Sequence, residues 1–178
     1  MKILVLTGSP HPDGTTALLA DEFCSGVKET EHELVRFDTA QLNIHPCIAC
    51  DHCRKNDNPC IFEDDMAKIY PHLLEADLVV LVTPLYYFGM SAQLKMAIDR
   101  FYAVNAKLRS KPKQSCLFAA CGDHDEWAME ALVKHYELIC RYLNWENCGT
   151  ILSYGCSTKE DVMGTDFPKQ ARDMGAGR

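Results

Sequence analysis

Four cysteines, Cys47, Cys50, Cys53 and Cys60, fall within 14 residues of a 178-residue chain that has ten. An even spread would put about one there. Their spacing is C-x2-C-x2-C-x6-C. Two-residue gaps let successive thiolates turn toward one centre, as an iron–sulfur site requires. The first reading is therefore a [4Fe–4S] cluster on these four residues, with His52 tuning it by hydrogen bonding. Structural zinc is the second, although zinc sites usually have two well-separated C-x2-C pairs. A redox dithiol is the third, for which one C-x-x-C suffices. Bacterial ferredoxin runs place Pro after the last Cys, whereas here Pro59 precedes Cys60.

Two further segments carry polar groups at the ends of apolar runs. Gly8-Ser9-Pro10-His11-Pro12-Asp13-Gly14-Thr15-Thr16 leads into a helical pattern. A helix N-terminus offers unpaired N–H groups to an anion, and Ser9, Thr15 and Thr16 add hydroxyls. Neither G-x-x-x-x-G-K-[ST] nor G-x-G-x-x-G is present. A hydroxyl-rich loop of this kind suits a terminal phosphate monoester such as that of FMN; an ordinary turn before a capped helix reads equally well. The second segment is Thr83-Pro84-Leu85-Tyr86-Tyr87-Phe88-Gly89. Its aromatics could flank a flavin ring, with N–H groups near Gly89 meeting the ring's polar edge, or could pack a core or subunit contact.

The elements that must position these loops alternate. Lys2 to Thr7, Glu33 to Asp38, Leu78 to Thr83, Cys116 to Ala120 and Glu146 to Tyr154 read as strands. Helical patterns cover Thr15 to Lys28, Asp64 or Asp65 to Leu74, Ser91 to Val104 and Asp125 to Leu143. The order implies an α/β, flavodoxin-like three-layer sandwich with a five-stranded parallel sheet, order 2-1-3-4-5. Ligands of such sheets sit at the carboxyl ends of strands one and three, where both loops would lie. Residues 1–178 are expected to form a single domain, with a cysteine-rich loop at 45–62 and a short polar C-terminal tail from about 157, helical from Phe167 to Met174.

The formal charge is −7 and no basic run exceeds two residues, which argues against nucleic acid or membrane partners. The apolar N-terminal run is too short for a signal peptide, so reduced thiols and a cytoplasmic setting are expected. Cys24, Cys116 and Cys140 read as small core residues, Cys148 and Cys156 flank the last strand, and Cys121 packs at the loop after strand four. Asp123-His124-Asp125-Glu126 reads as an acidic first helical turn rather than a metal site. Lys95 and Asp99 read as a surface ion pair.

Gly8-Ser9-Pro10 with Gly14 and Thr16, Asp64-Asp65-Met66, Ala76-Asp77, Thr83-Pro84-Leu85-Tyr86, and Leu94-Lys95 with Asp99-Arg100 resemble the NADPH-dependent FMN reductase family over residues 1 to 155. With the cysteine string, the chain is similar to its iron–sulfur flavoprotein branch. The resemblance implies FMN with its phosphate at Ser9, His11, Thr15 and Thr16 on the Gly14 loop. It also implies ring contacts from Pro84, Leu85, Tyr86, Tyr87, Phe88, Gly89 and Gly122, and a homodimer or homotetramer with FMN near the interface. The family often has Arg where His11 stands and Asn where Thr15 stands, which would lower phosphate affinity or make it pH-dependent. Members of the family can also carry such cysteines without a demonstrated cluster.

The expected function is an FMN-dependent oxidoreductase with NAD(P)H as cosubstrate. A flavin, quinone or protein would be the acceptor, with or without a [4Fe–4S] relay and with no catalytic side-chain acid or base. The alternative is an iron–sulfur flavoprotein electron carrier loaded by a ferredoxin-type partner, without NAD(P)H turnover. A third reading, a dinucleotide-binding dehydrogenase, rests on Asp38 at a ribose-binding position.

Overall fold

The computed structural model describes residues 1–55 and 60–178. Residues 56–59 of the cysteine-rich loop lie outside the described residues. Five strands, β1 (Lys2–Thr7), β2 (Glu33–Asp38), β3 (Leu78–Pro84), β4 (Lys113–Ala120) and β5 (Trp145–Ser153), form one sheet in the order β2-β1-β3-β4-β5. Every pairing is parallel. Helices α1 (Thr15–Val27), α2 (His52–Lys55), α3 (Met66–Glu75), α4 (Ala92–Asp99), α5 (Asn105–Ser110), α6 (Glu130–Leu143), α7 (Lys159–Met163) and α8 (Phe167–Ala176) complete the element order.

Side chains alternate across a strand, so each central strand feeds two cores. Leu4 and Leu6 of β1 with Val79 and Leu81 of β3 pack on Met66, Ile69 and Leu73 of α3, Leu94 of α4 and Leu132 and Tyr136 of α6. Ile3 and Val5 with Val80 and Val82 pack on Leu19, Phe23 and Val27 of α1 and Ala171 of α8. Because both faces are covered, β1 and β3 are almost wholly buried and read as continuous apolar runs.

Some boundaries differ from expectation. The stretch Asp125 to Leu143 opens with a 3-10 turn at Glu126–Met129 before α6. The stretch Ser91 to Val104 tightens from α4 into a 3-10 turn at Arg100–Val104, where the Arg100 side chain is buried. The polar segment after residue 157 carries two helices. Of these, α8 lies against α1 so closely that a Cβ on Gly26 would overlap the Arg172 carbonyl oxygen, and one on Gly175 the Phe23 carbonyl oxygen. Small residues on both helices permit that approach. Among the described residues, no helix is long and apolar enough to cross a membrane.

Candidate functional site: a cleft at the carboxyl edge of the sheet

The loops after β1, β3, β4 and β5 surround an open cleft of about 530 Å³. The sheet order brings them together, since β1, β3, β4 and β5 are consecutive neighbours and all end at one edge. Eight of the residues expected from sequence line this cleft: Ser9, His11, Gly14, Thr15, Pro84, Leu85, Tyr86 and Gly122. Thr16, Tyr87, Phe88 and Gly89 are not in its lining.

The loop after β1 is held from within. The Ser9 hydroxyl accepts from the His11 N–H at 3.1 Å and lies 3.2 Å from the His11 carbonyl oxygen. Gly14 precedes α1 without a side-chain cap, and the first turn of α1 holds no acidic residue. The leading N–H groups of α1 therefore lack the oxygen that usually satisfies them. Thr16, almost completely buried, has a hydroxyl with no hydrogen-bond partner. The open N–H groups at the start of α1, with the Ser9 and Thr15 hydroxyls in the cleft lining, are donors that suit a phosphate monoester. These residues fit FMN's phosphate end.

The loop after β3 is joined to this one through Ser91, which is fully buried. Its hydroxyl donates to the Gly8 carbonyl at 2.7 Å and accepts from the Leu94 N–H at the start of α4. Its own N–H donates to the Thr83 hydroxyl at 2.9 Å. The chain then turns back through Tyr86 and Gly89, each N–H donating to the other's carbonyl at 3.1 Å. The Gly89 N–H is thus consumed by the turn rather than left for a ring. Tyr87 and Phe88 occupy the tip with φ of 45° and 63°, a strained conformation for bulky residues. Tyr87 is wholly exposed, and Phe88 lies against Trp127 with ring centroids 5.4 Å apart. Of the three aromatics only Tyr86 borders the cleft, beside Pro84 and Leu85.

The remaining walls come from β4 and β5. Cys121 N–H donates to the Ser153 carbonyl, and Cys156 N–H to that of Cys121. Gly122 lies so near Ser157 that any Cβ would meet its hydroxyl. Burial pushes both thiols, Cys121 and Cys156, above their ordinary range, which keeps them protonated at neutral pH. That agrees with a packing role.

Sequence reasoning missed Asp13, Ser157, Thr158 and Lys159, which also line the cleft. The signal was the run Ser157-Thr158-Lys159-Glu160-Asp161, a capping-box pattern. Thr158 does cap α7: its hydroxyl accepts from Asp161 N–H, and the Asp161 carboxylate accepts from Thr158 N–H at 2.7 Å. Lys159 forms an ion pair with Asp13 across the cleft mouth.

Asp38 accepts from the Thr7 hydroxyl at 2.6 Å and from Arg36 at 2.8 Å. Asp38 ends β2, and both bonds fall on its Oδ1, bracing the edge of the sheet. Lys95 and Asp99 form an exposed ion pair. Asp123 and Asp125 lie in the turn before Glu126–Met129, where Asp125 N–H donates to Asp123.

The cysteine string lies between β2 and α3. Cys47 and Cys50 are exposed, while Cys53 and Cys60 are half-buried. Among the described residues no three His, Cys, Asp or Glu side chains converge on a metal-sized site. The base of the string is firmly fixed. Arg100 Nη1 donates to the His45 carbonyl and to Asp64, each at 2.7 Å, and its guanidinium lies 5.1 Å from the Phe62 ring centroid.

The sequence profile of the family described as NADPH-dependent FMN reductase matches residues 1–146. An iron-sulfur flavoprotein of Methanocaldococcus jannaschii is 39% identical over 100 residues, which is 56% of this chain and 51% of that protein. The chain spans about half the length of this and two further iron-sulfur flavoproteins that it matches. In fold it is similar to the NAD(P)H:quinone oxidoreductase from Methanothermobacter marburgensis, with TM-score 0.79 at 16% identity over 98% of this chain and 94% of that one. An FMN-dependent NADH-azoreductase from Bacillus anthracis, solved in complex with FMN, superposes with TM-score 0.73 at 14% identity over 99% of both chains. With the profile matched over most of its length, and with the sheet order and loops of that fold, this chain belongs to the NADPH-dependent FMN reductase family.

Proposed function

We propose that the protein is an FMN-dependent oxidoreductase that takes reducing equivalents from NAD(P)H and delivers them to a flavin, a quinone or a protein acceptor. The observation that carries this reading is a cleft bordered both by an uncapped helix start and by an apolar wall of Pro84, Leu85 and Tyr86. Bound FMN would supply the redox chemistry, taking a hydride from a nicotinamide and giving up the two electrons as a pair to a flavin or quinone or singly to a protein acceptor. The chain's own residues bind and orient. Ser9, His11, Gly14, Thr15 and Thr16 form the phosphate end, and Pro84, Leu85, Tyr86 and Gly122 the ring end. Tyr87, Phe88 and Gly89 shape the hairpin beside it. This reading assigns no side chain as a catalytic acid or base, because the flavin carries the chemistry.

The test is a titration of flavin-free protein with FMN, followed by flavin fluorescence. Saturable one-to-one binding is expected; its absence refutes the reading.

A finer reading concerns the cysteines. Spacing, together with the iron-sulfur names of relatives such as the Methanocaldococcus protein, supports a [4Fe–4S] centre on Cys47, Cys50, Cys53 and Cys60, serving a ferredoxin-type partner. Anaerobically purified protein should then hold about four iron and four acid-labile sulfide per chain; iron-free protein refutes it. Exposed Tyr102, Leu138 and Tyr142 around a groove of about 310 Å³ support a homodimer or homotetramer. All ten cysteines are free thiols, which supports a reducing, cytoplasmic setting.

A further inference from the structure

A phosphate monoester carries up to two negative charges, and the loop after β1 meets them with no fixed cation: its one basic side chain is His11. Among the described residues lining the cleft, Lys159 is the only Lys or Arg. It arrives from the other side, from the loop after β5. Its backbone is fixed by the Thr158–Asp161 capping box and by a third bond, Ser157 N–H to Asp161 at 2.9 Å. Its side chain, about one-third exposed, reaches across to Asp13 in the phosphate loop. The Asp13 carboxylate is 80% exposed. An ion pair with one partner so open to water contributes little to stability, so Lys159 can exchange that carboxylate for a better anion at small cost.

We propose that Lys159 is a phosphate-binding residue of this cleft, held over it by Asp13 when no ligand is present and transferred to the phosphate of the flavin nucleotide on binding. The proposal rests on the flavin reading above and extends it to a residue outside the phosphate loop. Asp13 has two roles in this account. It keeps the lysine at the mouth of the cleft, and it competes with the incoming phosphate. Charge-assisted bonds to phosphate are roughly twice as strong as neutral ones, and Lys binds phosphate as a point charge. The two neighbouring substitutions should therefore act differently.

The experiment compares FMN with riboflavin, which lacks the phosphate, on wild type, Lys159→Gln, Lys159→Arg and Asp13→Asn. Lys159→Gln should weaken FMN by about tenfold or more and leave riboflavin within about twofold, since the ring site is untouched. Unchanged riboflavin binding also reports that the variant is folded. Lys159→Arg should keep the preference for FMN, and Asp13→Asn should bind FMN at least as tightly as wild type. If Lys159→Gln keeps the wild-type preference, or weakens both flavins alike, the lysine's role is overturned while the flavin reading stands. Asp13→Asn losing FMN as steeply as Lys159→Gln overturns it too, by marking the pair as a loop clamp. A wild-type protein that binds neither flavin overturns both readings.

Discussion

Replacing Asp64 with Asn leaves a buried guanidinium facing a neutral amide. The side chains of Asp64 and Arg100 are both completely buried and meet in two bonds, Nη1 to Oδ2 at 2.7 Å and Nη2 to Oδ1 at 3.1 Å. Asp64 also accepts from the backbone N–H of His45 at 3.0 Å and of Met66 at 3.1 Å. One carboxylate thus ties the start of the cysteine string to the start of α3 and to the turn after α4. Removing one partner of a buried pair costs about 3–5 kcal/mol. Asn retains one acceptor oxygen, so the lower end, about 3 kcal/mol, is expected. With a urea m-value of about 2–3 kcal/mol per molar, the unfolding midpoint should fall by roughly 1–1.5 M. Asp64→Asn combined with Arg100→Met should recover part of that loss, because the stranded charge is gone.

The same carboxyl gives a pH signature. Burial pushes its pKa up, but the Arg100 guanidinium and the backbone N–H bonds outweigh this and hold it below the ordinary range. A folded-state pKa below the unfolded one contributes stability above about pH 4, lost as pH falls through the folded value. The gap between wild type and Asp64→Asn should therefore be constant near neutrality and narrow below about pH 4. A midpoint shift under about 0.3 M, or a gap that widens in acid, would refute the reasoning.

Other perturbations probe the scaffold of the cleft. Ser91→Ala removes the cap of α4 and leaves the Gly8 carbonyl unsatisfied, so a loss of about 2–3 kcal/mol in urea unfolding is expected, with weaker FMN binding because the two loops separate. Tyr87→Gly relieves a left-handed residue whose side chain is wholly exposed, and should raise apoprotein stability by about 1 kcal/mol in a thermal scan. A drop would reveal a contact for that ring. Gly26→Ala should cost about 1–2 kcal/mol by chemical denaturation: overpacking against the Arg172 carbonyl exceeds the roughly 1 kcal/mol gained in helix propensity.

The sheet was legible because strands buried on both faces read as unbroken apolar runs, as at Lys2–Thr7 and Leu78–Pro84. The two cleft loops were legible because they follow those runs. The docking of α8 was not, since the two helices approach through Gly26 and Gly175, and glycines leave no hydrophobic signal. Lys159 sits in a polar segment that reads as solvated, and only the meeting of β1 and β5 loops gives it a role. Arg100 and Asp64 are 36 residues apart, and nothing local announces their pairing. The hairpin tip explains why three adjacent aromatics diverge: a two-residue turn sends Tyr87 and Phe88 away from the cleft that Tyr86 borders.

The central claim is that this cleft holds FMN where a reduced nicotinamide can reach it. Anaerobic mixing of the FMN-loaded protein with NADPH, and separately with NADH, tests it most directly, following the yellow flavin absorbance. Bleaching of the bound flavin by at least one of the two, faster than that of free FMN under the same conditions, is the predicted result. A bound flavin that dithionite bleaches but neither nicotinamide does would contradict the account.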